Sequence, residues 1–148
     1  MLPLYRSVFA ILNGDAPLLG LLGGNEADPH IYQTSVQFHS EAALQDHYWV
    51  TYNKLNDISD DTQQTQAIRE IRLEIHIFGR DASSDTVDQI EDQIRALLDG
   101  ANLSTSDMLA WFCVQEGPST RGYESDQKIW HSVSVYHCKV AATALLPS

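Results

Sequence analysis

Between Ile68 and Gly100 the hydrophobic period changes once, and that change constrains the fold more than any other stretch. Ile71, Leu73, Ile75 and Ile77 alternate with Arg72, Glu74 and His76. Successive side chains of a strand point to opposite faces, so the alternation predicts a strand with one apolar and one charged face. The run from Ile68 to Phe78 would extend about 36 Å at about 3.3 Å per residue, long for a strand. Gly79 ends it. Ser83, Ser84 and Asp85 are each competent helix caps, because a short side-chain oxygen accepts from a free amide of the first turn. Val87, Ile90, Ile94, Leu97 and Leu98 then recur at helical spacing, and Gly100 stands where a C′ glycine belongs. Strand, short connection and amphipathic helix make one unit, on which the rest of the chain is expected to pack.

Ahead of this unit, Pro3 suits the first turn of a helix running to about Leu12, with Leu4, Val8, Ile11 and Leu12 as its apolar stripe. Asn13-Gly14 stops it, and Asp15 can cap a second short helix carrying Leu18, Leu19, Leu21 and Leu22 before Gly23-Gly24. Pro29 to Tyr32 predicts entry into a short strand, Gln33 to Asp46 a long surface loop, and Tyr48 to Tyr52 an aromatic and β-branched strand. Asp57 to Gln66 is acidic and without apolar periodicity, which predicts a loop. After the helix, Asn102 to Asp107 reads as a turn. Met108 to Glu116 is apolar on both faces, which predicts a central strand. Gly117 to Gly122 carries turn chemistry and opens a long hairpin loop reaching Lys128. Ile129 to Val140 is the last strand; its apolar phase changes between Val135 and Tyr136, which predicts a bulge or burial on both faces. Ala141 to Ser148 reads as a tail. The order predicts an α+β domain: a mostly antiparallel sheet of about four or five strands, with the main helix and the N-terminal helix on one face.

Composition narrows the function classes. A chain of 148 residues, 43% hydrophobic, suits one domain with a real core. The net charge of −11 argues against a grip on nucleic acid, which needs Lys and Arg to neutralise phosphate. It suits simple solubility, or a surface that DNA slides past because like charges repel. No stretch reaches the length of a membrane span, and the first helix lacks the basic start and small-residue cleavage site of a secretion signal. A cytoplasmic product, or one assembled there, is expected.

The six histidines do not show metal-ligand spacing. His131 and His137 would share a strand face but lie about 20 Å apart along it. His137 and Cys138 point to opposite faces, and His30, His39 and His47 fall in or beside irregular segments. Cys113 and Cys138 lack a C-x-x-C partner and are expected as buried free thiols. Hydrolase and phosphate-loop motifs are missing. Asp60-Asp61 and Glu26/Asp28 could be read as carboxylate pairs or calcium ligands, but the loop from Asp57 lacks the alternating ligands and closing Glu of a calcium loop and reads as a solvated acidic loop. No catalytic, cofactor-binding or metal-binding residue is assigned. One feature asks for more than solubility: Glu70, Arg72, Glu74 and His76 form a row along one strand face. That face is expected to meet water, or else the charged surface of another copy or a channel; His76, between charged neighbours, is expected at the surface.

The order of these segments resembles the tail-completion family of long-tailed bacteriophages, the tail terminators or tail-to-head joining proteins. The resemblance is carried by Leu4-Tyr5 through the leucine-rich stretch from Asn13-Gly14-Asp15 to Gly23-Gly24, by Ile31-Tyr32, and by the aromatic strand Tyr48 to Asn53. Its most specific parts are Glu74 to Asp81, a strand ending in an aromatic and a small residue, and the helix Ile90 to Gly100; the Trp130 to Val140 strand fits as well. The loops Gln33 to Asp46 and Gly117 to Lys128 depart from the pattern in length.

The resemblance implies a structural virion protein of the tail or neck, with neither catalytic residues nor cofactor. It implies a homo-oligomeric ring, commonly a hexamer, on the head-proximal end of the tail tube. Such a ring ends tube polymerisation, docks the head connector, and lets DNA pass through its lumen. Its partners would be the tail tube protein and the head-closure or connector protein, with no membrane. On that reading Glu70, Arg72, Glu74 and His76 are candidates for a subunit interface. Asp57, Asp60 and Asp61 in one loop, and Arg121, Tyr123 and Glu124 in the other, are candidates for partner contacts. Two alternatives stand beside it: another neck, minor tail or head-completion protein, and a small α+β ligand-binding domain or enzyme, which would show a deep apolar pocket with convergent polar groups.

Overall fold

The computed structural model describes residues 2–33, 46–59, 68–81 and 83–143. The period change appears where the residues place it. Strand β3 (Ile68–Gly79) buries Ile71, Leu73, Ile75 and Ile77 completely, on the side where the helices lie. Helix α3 (Asp85–Leu98) follows at once and buries Val87, Ile90, Ile94 and Leu98 on that face. A Cβ on Gly79 would fall 2.6 Å from Val87 Cγ2 and 2.9 Å from Tyr48 Cδ1, so the tight exit from strand to helix requires glycine. Ser84 is the N-cap residue, but its neighbour Ser83 supplies the hydroxyl that accepts from the Asp85 amide, at 3.1 Å. Gly100 adopts φ +78°, the left-handed C′ conformation.

Helices α1 (Leu2–Asn13) and α2 (Ala16–Leu22) complete the helical layer. Asp15 caps α2 by accepting from the Leu18 amide at 3.0 Å. The same carboxylate accepts from Gln93 of α3 at 2.8 Å, so the cap also docks α2 on α3. Ser7 of α1 donates to the Leu103 carbonyl at 2.8 Å.

The sheet contains β1 (Ile31–Gln33), β2 (Tyr48–Ser59), β3, β4 (Met108–Gln115), β5 (Thr120–Glu124) and β6 (Ile129–Ala142). Its order is β1-β2-β3-β6-β4, with β5 also on β6. β1 runs parallel to β2 and every other pairing is antiparallel. β3 lines one side of β6 for its full length, so β4 and β5 share the other side, end to end. β3 and β4 are both antiparallel to β6 and hence parallel to each other, with β6 between them: α3 is the crossover of a split β-α-β unit. The main core lies between helices and sheet; a smaller one of Trp49, Phe78 and Ile129, with Tyr32 against it, lies on the opposite sheet face.

Four expectations need correction. The strand from Met108 is not central: β4 is an edge, and Leu109, Trp111 and Val114 on it are 41–47% exposed. A register shift between Ala110 and Phe112 puts an extra residue, Trp111, into the strand, so apolar residues appear on both sides without both being buried. The Tyr48 strand does not stop near Tyr52 but continues to Ser59, placing Asp57 in a ladder opposite Ile71 and not in a loop. Backbone pairing with the long β3 carries these polar residues, since a ladder needs no apolar side chain. Residues 60–66 of the predicted loop, 34–45 of the earlier one and 144–148 of the tail lie outside the described residues.

The predicted hairpin loop is likewise partly strand: β5 begins at Thr120, and the turn to β6 is Ser125 to Lys128. β6 has no bulge against β3; its register runs unbroken from Trp130 opposite Gly79 to Ala141 opposite Ile68. The phase change arises because Ser132 and Ser134 face the helices while Val133 and Val135 face the other way. Ser132 is tolerated there because it donates to the Glu91 carboxylate at 2.5 Å. Cys113 and Cys138 are buried free thiols, paired across β4 and β6 with their sulfurs 3.5 Å apart. The bond from Cys138, with burial second, raises the Cys113 thiol far above its ordinary range.

Candidate functional site

The even-numbered face of β3 holds the four charged residues of the predicted interface, and the structure divides them into two pairs. Near Gly79 the face is closed. Trp49 stacks on Phe78 at 4.9 Å, and Phe78 stacks on His131 at 4.4 Å. His131 Nε2 meets His76 Nδ1 at 2.7 Å, and His76 Nε2 in turn meets the Glu74 carboxylate. His76 is 2% exposed and Glu74 8%. The expectation that His76 lies at the surface is therefore overturned: cross-strand aromatic neighbours bury it and its polar atoms are satisfied inside the chain.

Burial pushes the His131 imidazole down to about 4, and the charge of His76 adds to this against an opposing pull from Glu74. His131 Nε2 and His76 Nδ1 share one hydrogen bond, and His76 Nε2 donates to the Glu74 carboxylate. The row thus ties β3 to β6 through side chains as well as through the ladder.

The other half of the face is open. Arg72 grips Glu116 with two bonds, at 2.7 and 3.2 Å, and Glu70 lies 3.4 Å from His137. The Arg72 hydrogen bond holds the Glu116 carboxyl below its usual range. Beside these pairs stand Phe112, edge-on to His137 at 5.1 Å, and Lys139, whose Nζ lies 5.8 Å over the Trp111 ring. Leu109 and Val114 continue the apolar strip along β4.

The predicted contact loops fare differently. Asp57 sits in β2; Asp60 and Asp61 lie outside the described residues. Arg121, in β5, reaches back to α3, 2.7 Å from Asp88 and 3.2 Å from Glu91. It is a staple within the chain. Burial alone would raise the Glu91 carboxyl, but hydrogen bonds from Ser132 and Ser119 and the charges of Arg121 and Arg95 outweigh it and hold it low. Glu91 was missed in the sequence, although it stands at a stripe position of α3, four residues after Val87 and one after Ile90. Tyr123 is 44% exposed with its ring 5.0 Å from Trp130, and Glu124 is half-buried opposite Ile129.

Among the described residues, no group of three or more His, Cys, Asp or Glu is placed to hold a metal ion. No described helix is long and apolar enough to cross a membrane. A groove of about 460 Å³ runs beside β4, lined by Gly100, Ala101, Asn102, Ser104 and the β4 residues from Leu109 to Val114. It lacks a convergent charged cluster.

Comparison with known proteins gives this geometry a context. The family model described as tail completion protein gp17 matches residues 6–140. No curated protein matches the chain. Among solved structures, a chain of the virion of a native gene transfer agent particle shares the fold: TM-score 0.67, 19% identity, covering 91% of this chain and 92% of that one. A second solved chain, at 13% identity and TM-score 0.48 over nearly the full length of both, is too distant in shape to add to this.

Proposed function

This chain belongs to the tail completion protein family, and from that premise we propose that it closes the head-proximal end of a phage-like tail as a ring of identical subunits. The observation that carries the reading is the family match across residues 6–140, nearly the whole of the described fold. The fold shared with a virion chain of a gene transfer agent particle supports it. So does the physics of the surface. A subunit with net charge −11 repels DNA, which suits a passage that must transmit DNA without holding it. The Arg72–Glu116 ion pair cancels charge on one half of the sheet face, where copies of an acidic chain can approach. In this ring the tube protein meets one rim and the head connector the other. The whole chain acts as one domain, without catalysis or a cofactor, as part of the virion and assembled in the host cytoplasm. The buried Glu74 and His76 support the contact surface from within; Glu70 and Arg72 are placed to touch a neighbour.

The test is electron microscopy of a lysate in which the gene carries a stop codon. Filled heads apart from tubes, with tubes of irregular or excessive length, are expected. Intact particles with normal tails would overturn the role. Separate heads and tails of normal length would reduce it to joining without length control.

A further inference from the structure

Cys113 of β4 and Cys138 of β6 are direct register partners, and both are fully buried. Their Sγ atoms lie 3.5 Å apart. The ladder around them fixes what kind of pair they form. In an antiparallel ladder, opposed residues alternate between pairs that exchange backbone hydrogen bonds and pairs whose amides and carbonyls point outward. Glu116 N donates to Val135 O at 2.7 Å, so that opposed pair exchanges bonds. Three steps back along β4, with no register shift between, Cys113 and Cys138 fall on a pair that does not. The outer rim of β4 agrees. Cys113 O accepts from Gly100 N at 2.7 Å, and Gln115 N donates to Asp99 Oδ1 at 2.9 Å, both away from β6. At such a pair the Cα atoms stand about 4.5 Å apart and the side chains come closest, inside the span of about 4.4–6.8 Å that a disulfide bridges.

We propose that Cys113 and Cys138 are a closable pair: a dithiol in a reducing cytoplasm, and a disulfide tying edge strand β4 to β6 once the particle meets an oxidising medium. The bond follows from the pairing; its timing rests on the virion reading above. The oxidant is of the hydroperoxide class, with hydrogen peroxide the simplest case. One sulfur attacks a peroxide oxygen and becomes a sulfenic acid, and the first water leaves. The second sulfur displaces the new hydroxyl as the second water. Two S–H bonds and one O–O bond break, and one S–S bond and two O–H bonds form. The peroxide takes up the two electrons that the thiols lose.

The place of the pair in the fold explains both its protection and its effect. The thiols belong to the main core, with Ile71 of β3 opposite Cys138. The bond from Cys138 and burial keep the Cys113 thiol protonated, so the closed sheet preserves the dithiol. β4 has a strand neighbour on one side only. An edge strand opens locally at less cost than a central one, which admits a small oxidant. The disulfide would enclose residues 113–138, including β5, and so restrict that stretch in the unfolded chain.

The test uses the full chain, purified with a reductant, desalted and treated with hydrogen peroxide. The intact mass is expected to fall by about 2 Da, both thiols to be lost to alkylation in denaturant, and a peptide linking Cys113 to Cys138 to appear before reduction. The thermal midpoint is expected to rise by about 5–10 °C and to return on adding dithiothreitol. Thiols still free, or a mass raised by added oxygen without the linked peptide, would overturn the pair. The linked peptide with a lowered midpoint would overturn its stabilising effect. Cys113→Ala under the same treatment is expected to show no rise; an equal rise would assign the effect to oxidation elsewhere and overturn it too. For the timing, particles are alkylated inside unbroken cells and again after release. Free thiols before and the linked pair after are expected. Free thiols in released particles would overturn the timing but not the bond. Normal particles in the stop-codon lysate would remove the virion reading, and the bond in the purified chain would stand apart from it.

Discussion

The two halves of one strand face differ in everything except their sequence pattern. Glu74 and His76 are sealed beside Phe78, with His131 stacked on His76 and Trp49 stacked on Phe78. Glu70 and Arg72, two pleats away on the same strand, pair with His137 and Glu116 at a half-open surface. Alternation says that these side chains share a face. It does not say what the neighbouring strands bring to that face. At one end β2 and β6 bring aromatic rings; at the other they bring Asn56, His137 and Lys139. A charged residue in a regular row therefore has either a structural or a contact role, depending on its cross-strand partners.

Removing the closed half should be the most damaging change. Trp49→Ala is expected to cost about 3–5 kcal/mol in urea titration, as for other large-to-small changes in a core, whereas Trp111→Ala should cost under about 1 kcal/mol. Similar losses at both positions would erase the distinction. The helix side offers a second buried charge for comparison. Glu91→Ala leaves the buried Ser132 hydroxyl without its acceptor and takes one of two carboxylates from Arg121, and is expected to cost about 1–3 kcal/mol. A neutral result would mean that water replaces the carboxylate there.

The closed half also carries a pH signature. His131 titrates at about 4 in the folded chain, against an ordinary value near 6.5. Between these values the unfolded chain holds a proton that the folded chain does not, so stability is full above about pH 6.5 and falls as pH drops toward 4. A loss of about 1–2 kcal/mol is expected across that window, discounted for solvent screening of a ring that is not fully enclosed. His131→Phe, which keeps a stacking ring, should flatten the slope between pH 6.5 and 4.5; an unchanged slope would assign it to other groups. The smallest effect belongs to the open half. Arg72→Ala should leave the urea midpoint unmoved, because an exposed ion pair is screened, and should be felt only in assembly.

Much of the fold is legible in the chain as letters. The alternation of β3, the stripe of α3, the Asp15 cap and the glycines at 79 and 100 all act within a few residues of themselves, and each appears where its chemistry places it. So does the family resemblance, which depends on the order of such units. The misjudged parts depend on strand order. Met108 to Gln115 is apolar on both faces whether it lies at the centre or at the edge, and only its pairing to β6 alone makes it an edge. The serines of β6 look like an error of phase until Glu91 arrives from α3 to bind one of them. His76 is the sharpest case: a strand period assigns its side of the sheet, while its burial comes from Phe78, Thr51 and His131, and of these only Phe78 is close to it along the chain. Periodicity records how the backbone repeats. Burial and charge pairing record which distant segments are brought alongside, and no local repeat carries that information.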